Sequence, residues 1–323
     1  MDFHLEFDPI PFESKISLQD PVLLMGSCFT EHVYKYLDDY KFDALQNPNG
    51  ILFNPKSISN ALENYISSKR INTDELFFRN GIWNHWQFHS SLSHSEIDIA
   101  AHNMNQQINR THFFLRDAKW LILTFGSAFV YELENGETVA NCHKEPSAMF
   151  LRRMLSVDEI VELYSTTIKS ILDFNRTIKF IFTVSPVRHL KEGFVENNRS
   201  KSTLLLAIEK LTTLFESCNY FPSYELVIDD LRDYRFYAED MVHPNYLATK
   251  YVWDKFSMAC IEGKTRQVFK ELELINNAIK HRPMHPDSEE HRKFRSKTYN
   301  AIVDLANRFP KMDFSSELEF FKD

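Results

Sequence analysis

The stretch Val22-Leu23-Leu24-Met25-Gly26-Ser27-Cys28-Phe29 decides how the rest of the chain is read. Four consecutive apolar residues end on a glycine, a serine follows, and a helical pattern opens at Phe29. A short apolar run closed by glycine reads as a strand buried on both faces, and such strands belong to parallel sheets. The pattern recurs at residues 120–125, just ahead of Gly126, and further apolar runs occupy 179–184 and 225–228. Glycine is scarce, with seven in 323 residues. Each is therefore expected where a side chain does not fit. Gly26 and Gly126 then mark the strand edge at which α/β proteins hold their ligands.

Helical patterns lie between these runs, at 29–37, 57–67, 95–114, 156–172, 200–215 and 245–260. The fourth opens on Ser156 with Glu159 three residues on, a capping box. Strands alternating with helices predict an α/β fold, a mainly parallel sheet with helices on both faces. Right-handed crossovers bring the strand C-termini to one edge. Two segments break the alternation. Residues 76–90, around Asn80-Gly81, and 128–140, around Asn135-Gly136, read as β-hairpin inserts. The first carries Phe77, Phe78, Trp83, Trp86 and Phe88. These inserts either wall a pocket or simply cover the sheet. The C-terminal 263–323 shows helical periodicity (Val268, Leu272, Ile275, Ile279) broken by Pro283 and Pro286. It reads as a two-helix appendage to an α/β domain spanning 1–262, which is expected to fold without it.

A net charge of −8 offers no general field for phosphate backbones or anionic membrane surfaces. Neither nucleic acid nor membrane is expected as a partner. The N-terminus lacks the basic patch and apolar run of a signal peptide, and no run reaches about 18 apolar residues. Cys28, Cys142, Cys218 and Cys260 form no CxxC. A cytoplasmic protein with reduced thiols and no disulfide framework is the simplest expectation. Oligomeric state is left open.

Two constellations carry chemistry. Ser27, on a strand-to-helix turn, is placed either as a nucleophile near a helix N-terminus or as that helix's N-cap. Asp240-Met241-Val242-His243-Pro244-Asn245 sets an Asp three residues before a His on a loop. The carboxylate can fix the tautomer through Nδ1 and leave Nε2 as a base, or serve only as a turn residue. His85 and His89, four apart, would suit a metal on a helix. The local alternation favours a strand, so no metal and no cofactor is expected. Arg188 and His189 follow the third strand, where Arg188 reads as an anion-binding group or a salt-bridge partner.

Gly26-Ser27-Cys28-Phe29, Asn141-Cys142-His143-Lys144, Ser185-Pro186-Val187-Arg188-His189 and Asp240-Met241-Val242-His243-Pro244-Asn245, in that order, resemble the GSCFA-domain family. The pairing of the first and last motifs resembles the wider SGNH/GDSL hydrolases. The resemblance covers about residues 20–260. It implies a three-layer α/β/α sandwich with Ser27 as nucleophile, His243 as base and Asp240 as orienting acid. It also implies an oxyanion hole built from the Ser27 N–H, the Gly50 N–H and an Asn in the block beginning at Gly126. Ala128 stands where that Asn is expected, leaving Asn141 or Ser127 as replacements. Gly126, His143, Arg188 and His189 fall to the substrate pocket, with His143 alternatively a structural histidine.

The implied activity is a serine-dependent acyl-ester hydrolase or acyltransferase acting on a small-molecule or carbohydrate ester, such as small O-acyl groups. A catalytically inactive ligand-binding module is the alternative. A thiol mechanism using Cys28 or Cys142 with His143 is a third, and it lacks an orienting acid.

Overall fold

The computed structural model describes residues 4–322. In chain order the elements are β1 (Val22–Gly26), α1 (Phe29–Asp39), β2 (Ala44–Gln46), α2 (Pro55–Ile66), β3 (Phe77–Arg79), β4 (Ile82–Asn84), α3 (Ile97–Asp117) and β5 (Trp120–Phe125). Then follow β6 (Phe129–Glu132), β7 (Thr138–Val139), β8 (Leu151–Met154), α4 (Val157–Phe174), β9 (Lys179–Val184), α5 (Phe194–Leu214) and β10 (Cys218–Tyr220). A single helical turn α6 (Ser223–Glu225), α7 (Tyr246–Cys260), α8 (Gly263–Lys280), α9 (Glu289–Arg308) and α10 (Ser315–Phe321) complete the chain.

Five strands form one sheet in the order β10-β9-β5-β1-β2, and every pair is parallel. Residues alternate strictly between the faces, as the two-residue period of a strand requires. Leu23, Met25, Leu121, Leu123, Phe180 and Phe182 are buried in one cluster with α2, α3, α4 and α5. Val22, Leu24, Trp120, Ile122 and Ile181 are buried in a second cluster with α1 and α7. This is the three-layer α/β/α arrangement. Both inserts are antiparallel: β3 pairs with β4 across Asn80-Gly81, and β6 pairs with both β7 and β8. Ser156 and Glu159 close the capping box at the start of α4, at 3.2 and 2.7 Å.

Three expectations need correction. Residues 225–228 are not a strand: Leu226–Leu231 is π-helical and the edge strand is β10, just before it. A short apolar run buried on one side carries no periodicity that separates strand from helix. The three-residue β2 escaped notice because Ala44-Leu45-Gln46 has too little apolar content to stand out. Finally, α5 starts at Phe194, not at residue 200, so its first turns reach the sheet edge.

The C-terminal segment holds three helices. Val268, Phe269, Leu272 and Ile275 of α8, Ile302 and Leu305 of α9 and Phe321 of α10 are buried in the same cluster as Leu24 and Trp120. Tyr40 stacks on Phe269 at 3.9 Å and Tyr36 on Trp253 at 4.9 Å. Lys41 pairs with Glu317 at 2.5 Å. These helices form much of the outer layer on that side of the sheet.

Candidate functional site

Strand β1 connects outward to β2 on one side, while β5 and β9 run to the other. The strand order therefore reverses between β1 and β5, and a crevice opens beyond their C-terminal ends at such a point. Ser27 sits there. Its N–H donates to the Thr124 carbonyl of β5 at 3.1 Å, and its side chain is fully buried. The preceding glycine is obligatory: Gly26 has φ 144°, and a Cβ on it would lie 2.2 Å from the Thr124 oxygen. The N-cap of α1 is Cys28, with no side-chain cap, so Ser27 does not serve that role. Its Oγ accepts only a long bond from the Phe29 N–H, 3.4 Å.

Gly126 lies opposite Ser27. Its N–H and that of Ser127 both donate to the Phe53 carbonyl, at 2.8 and 2.9 Å. A Cβ on Gly126 would sit 3.1 Å from the Ser27 Cβ and 3.1 Å from the His189 Nε2. Those two atoms are therefore separated by at most twice that distance. The His189 ring meets Phe53 edge-on at 5.2 Å, and its backbone N–H donates to Asn197 Oδ1 at 2.9 Å. Nε2 is buried and has no hydrogen-bond partner among the described residues. A cavity of about 410 Å3 adjoins these groups, lined by Phe53, Ser127, Phe129, Val139, Asn141 and His189 among others. The second insert thus walls the pocket through Phe129 and Val139.

The Asp240–His243 pair forms as expected, with Nδ1 to Oδ2 at 2.6 Å. The other Asp240 oxygen accepts the Val242 and His243 N–H groups at 2.9 and 3.0 Å. The His243 N–H foremost, with its ring next, holds the Asp240 carboxyl down to about 2. His243 is half exposed, and its charge is felt at both His189 and His32. No hydrogen bond joins its Nε2 to Ser27 Oγ, which differs from the expected 2.6–3.2 Å contact. The pair lies on an exposed turn around Met241, whose φ is 58°. Arg188 has no ion-pair partner among the described residues. Its Nη1 donates to the Met241 carbonyl at 3.1 Å and its guanidinium lies 4.2 Å from the Tyr237 ring centroid, so it braces this turn.

The expected oxyanion donors are largely occupied. The Ser27 N–H belongs to the sheet, and the Gly50 N–H closes a turn onto the Asn47 carbonyl at 2.7 Å. Ser127 Oγ bonds to Ser200 Oγ at 3.3 Å and to the Phe129 N–H at 3.1 Å. Asn141 lines the cavity; its Oδ1 accepts the His143 N–H at 2.9 Å, a bond that does not engage its Nδ2 donor. His143 itself hydrogen-bonds the His85 carbonyl at 3.0 Å and packs on Phe77, away from Ser27 in the first insert. Burial pushes the Cys28 and Cys142 thiols up, which disfavours the thiolate a cysteine mechanism needs.

The sequence reading placed a helix at 200–215 but not the part α5 plays at the site. Asn197, Ser200 and Lys201, spaced i, i+3 and i+4, present one buried face to the site. Asn197 holds His189, while Ser200 Oγ accepts the Ala128 N–H at 2.7 Å. Lys201, 1% exposed, donates Nζ to the Gly126 and Ser185 carbonyls at 2.6 and 2.7 Å. Burial pushes this amine down to about 7. Lys201 falls on the same helical stripe as Leu204, Ile208 and Leu211, a charged residue at an apolar position, and that was the available signal.

Among the described residues, no helix is long and apolar enough to cross a membrane. No curated protein matches the chain. Of solved structures, the chain is similar to a carbohydrate esterase family 3 protein from Talaromyces cellulolyticus, at 9% identity and a TM-score of 0.35, covering 79% of this chain and 99% of that one. Residues 272–323 match the C-terminal domain of GSCFA domain proteins. Residues 21–256 match the GSCFA family itself, and the chain belongs to that family.

Proposed function

We propose that the protein is a serine-dependent acyl-ester hydrolase or acyltransferase of the SGNH type. The observation that carries this reading is Ser27 at the reversal of strand order, buried behind Gly126 next to a cavity lined by Ser127 and His189, with a preformed Asp240–His243 pair on the loop that Arg188 braces at the same sheet edge. In the reaction, Ser27 Oγ adds to the ester carbonyl carbon and its proton passes to His243 Nε2. Asp240 holds the ring through Nδ1 and stabilises the imidazolium. The tetrahedral intermediate collapses, the C–O bond to the alcohol breaks, and His243 returns the proton to the leaving alkoxide. Water, or an acceptor hydroxyl, then removes the acyl group by the same steps in reverse.

For His243 to take that proton, the exposed turn bearing it must move toward Ser27 when substrate binds. Catalytic hydrogen bonds often tighten only in the complex. A cavity of about 410 Å3 suits a small ester, such as a short O-acyl group on a sugar. The unmade Ser27–His243 bond and the occupied Ser27 and Gly50 N–H groups favour the second reading, a binding module that holds such a ligand without turning it over.

A fluorophosphonate probe distinguishes them. Labelling at Ser27, lost in a folded Ser27→Ala variant, is the expected result. Equal labelling of the alanine variant, or none of the wild type, rejects the serine enzyme.

A further inference from the structure

We infer that His189 donates its Nε2–H to the oxyanion formed when Ser27 adds to an acyl carbonyl, an assignment that rests on Ser27 being the nucleophile. Four observations converge on it. First, a buried nitrogen without a partner is costly, about 1–3 kcal/mol for an orphaned polar group, and such groups call for an explanation. His189 Nε2 is such an atom, and Gly126 brings it near Ser27.

Second, what separates the two side chains is the bare Cα of Gly126. A methyl there would press on the Ser27 Cβ and on Nε2 at 3.1 Å each, and on the Phe53 carbonyl at 3.2 Å. The missing side chain lets the two groups lie close together, and since both are shut off from solvent, the ester carbonyl has to displace part of this wall to reach them. Third, the backbone donors at this edge are engaged: the Ser27, Gly50, Gly126 and Ser127 N–H groups all have backbone partners, which leaves the oxyanion to side chains. Besides His189, Asn47 Nδ2, next to Gly26, is a buried unpaired donor here among the described residues. Fourth, the ring is held in advance. Asn197 fixes its backbone and Phe53 meets it edge-on. A donor fixed before the reaction pays no reorganisation when charge develops.

The ring is also in the right protonation state to donate without acting as the base. Burial first, then the nearby charges of Lys201 and His243, lower its pKa to about 4. A neutral imidazole carries one N–H. With that proton on Nε2 the group is a hydrogen-bond donor in the acid-to-neutral range and above.

The test compares the rate at which a fluorophosphonate labels Ser27 in the wild type, His189→Ala and His189→Gln, each checked for folding by thermal melting. Ser27 Oγ displaces fluoride from phosphorus, and the phosphonyl oxygen takes the place of the oxyanion formed from the ester carbonyl. We expect His189→Ala to slow labelling by about 10²–10³-fold, and His189→Gln, whose amide nitrogen reaches about as far as Nε2, to recover most of that loss. His189→Phe keeps the ring against Phe53 without the N–H and replaces the alanine variant if that one does not fold. Wild-type labelling rates in the alanine or phenylalanine variant would overturn the assignment. So would a glutamine variant as slow as alanine, since the ring would then be acting as a base. Absence of Ser27 labelling in the wild type would instead remove the nucleophile, and this inference with it.

Discussion

Replacing Lys201 by Met tests how the sheet edge is held. The wild-type amine bonds the carbonyls of Gly126 and Ser185, which follow β5 and β9. A neutral amine has two N–H donors and two carbonyls accept them, so the third proton of an ammonium has no role there. Methionine fills similar volume but leaves both carbonyls orphaned, at about 1–3 kcal/mol each at any pH. It also removes a buried amine, and that part depends on pH. The folded pKa, about 7, lies below the unfolded value. Between the two the unfolded chain binds the proton that the folded chain has shed, so wild-type stability rises with pH across this window. From pH 7 to pH 9 this contribution amounts to about 2 kcal/mol. Urea unfolding of both proteins at pH 7 and pH 9 measures it, since all other titrating groups cancel in the difference. The variant should fall behind the wild type by about 2 kcal/mol more at pH 9 than at pH 7. A difference that stays constant within about 0.5 kcal/mol would show that Lys201 keeps its proton in the fold and would refute the argument.

Gly26→Ala should cost about 2–6 kcal/mol, from overpacking against the Thr124 carbonyl and a strained φ, whereas Gly136→Ala, with nothing within 4 Å, should cost only about 1–2 kcal/mol; equal urea midpoints would contradict the close-approach argument. Asp240→Asn should leave the fold intact and reduce hydrolysis of an activated acetyl ester by about 10²-fold or more; unchanged turnover would take Asp240 out of the mechanism. Truncation after Glu262 should yield insoluble or dye-binding protein, because it uncovers Tyr40, Phe42 and Trp253, which pack on Phe269. A soluble truncated protein with a sharp melting transition would show that α1 and α7 close that face alone.

The sequence determined what neighbouring residues settle among themselves. The runs at 22–25, 120–125 and 179–184 are apolar enough to be buried strands in any context. Asn80-Gly81 and Asn135-Gly136 have the turn chemistry of hairpins. Ser156 and Glu159 cap their own helix, and Asp240 reaches His243 across one turn of chain. Each of these is a short-range arrangement, so its cause lies in the quoted residues. Gly26 was also legible, since only a close approach explains glycine at that point in so glycine-poor a chain.

Tertiary structure alone decided how the donors are used. Whether the Gly50 N–H is free depends on the turn it closes, and whether Ser127 Oγ is free depends on Ser200, 73 residues away. Lys201 is bound by backbone carbonyls, which every residue has and which therefore leave no mark in the sequence. The same holds for the approach of His189 to Ser27: it depends on a bare Cα at Gly126 and on a helix, α5, whose polar first turns look like surface until the sheet edge is placed against them. The C-terminal helices read as an appendage because their apolar stripe reports only that something is covered. That it covers the same side of the sheet as Leu24 and Trp120 follows from packing between residues more than two hundred positions apart.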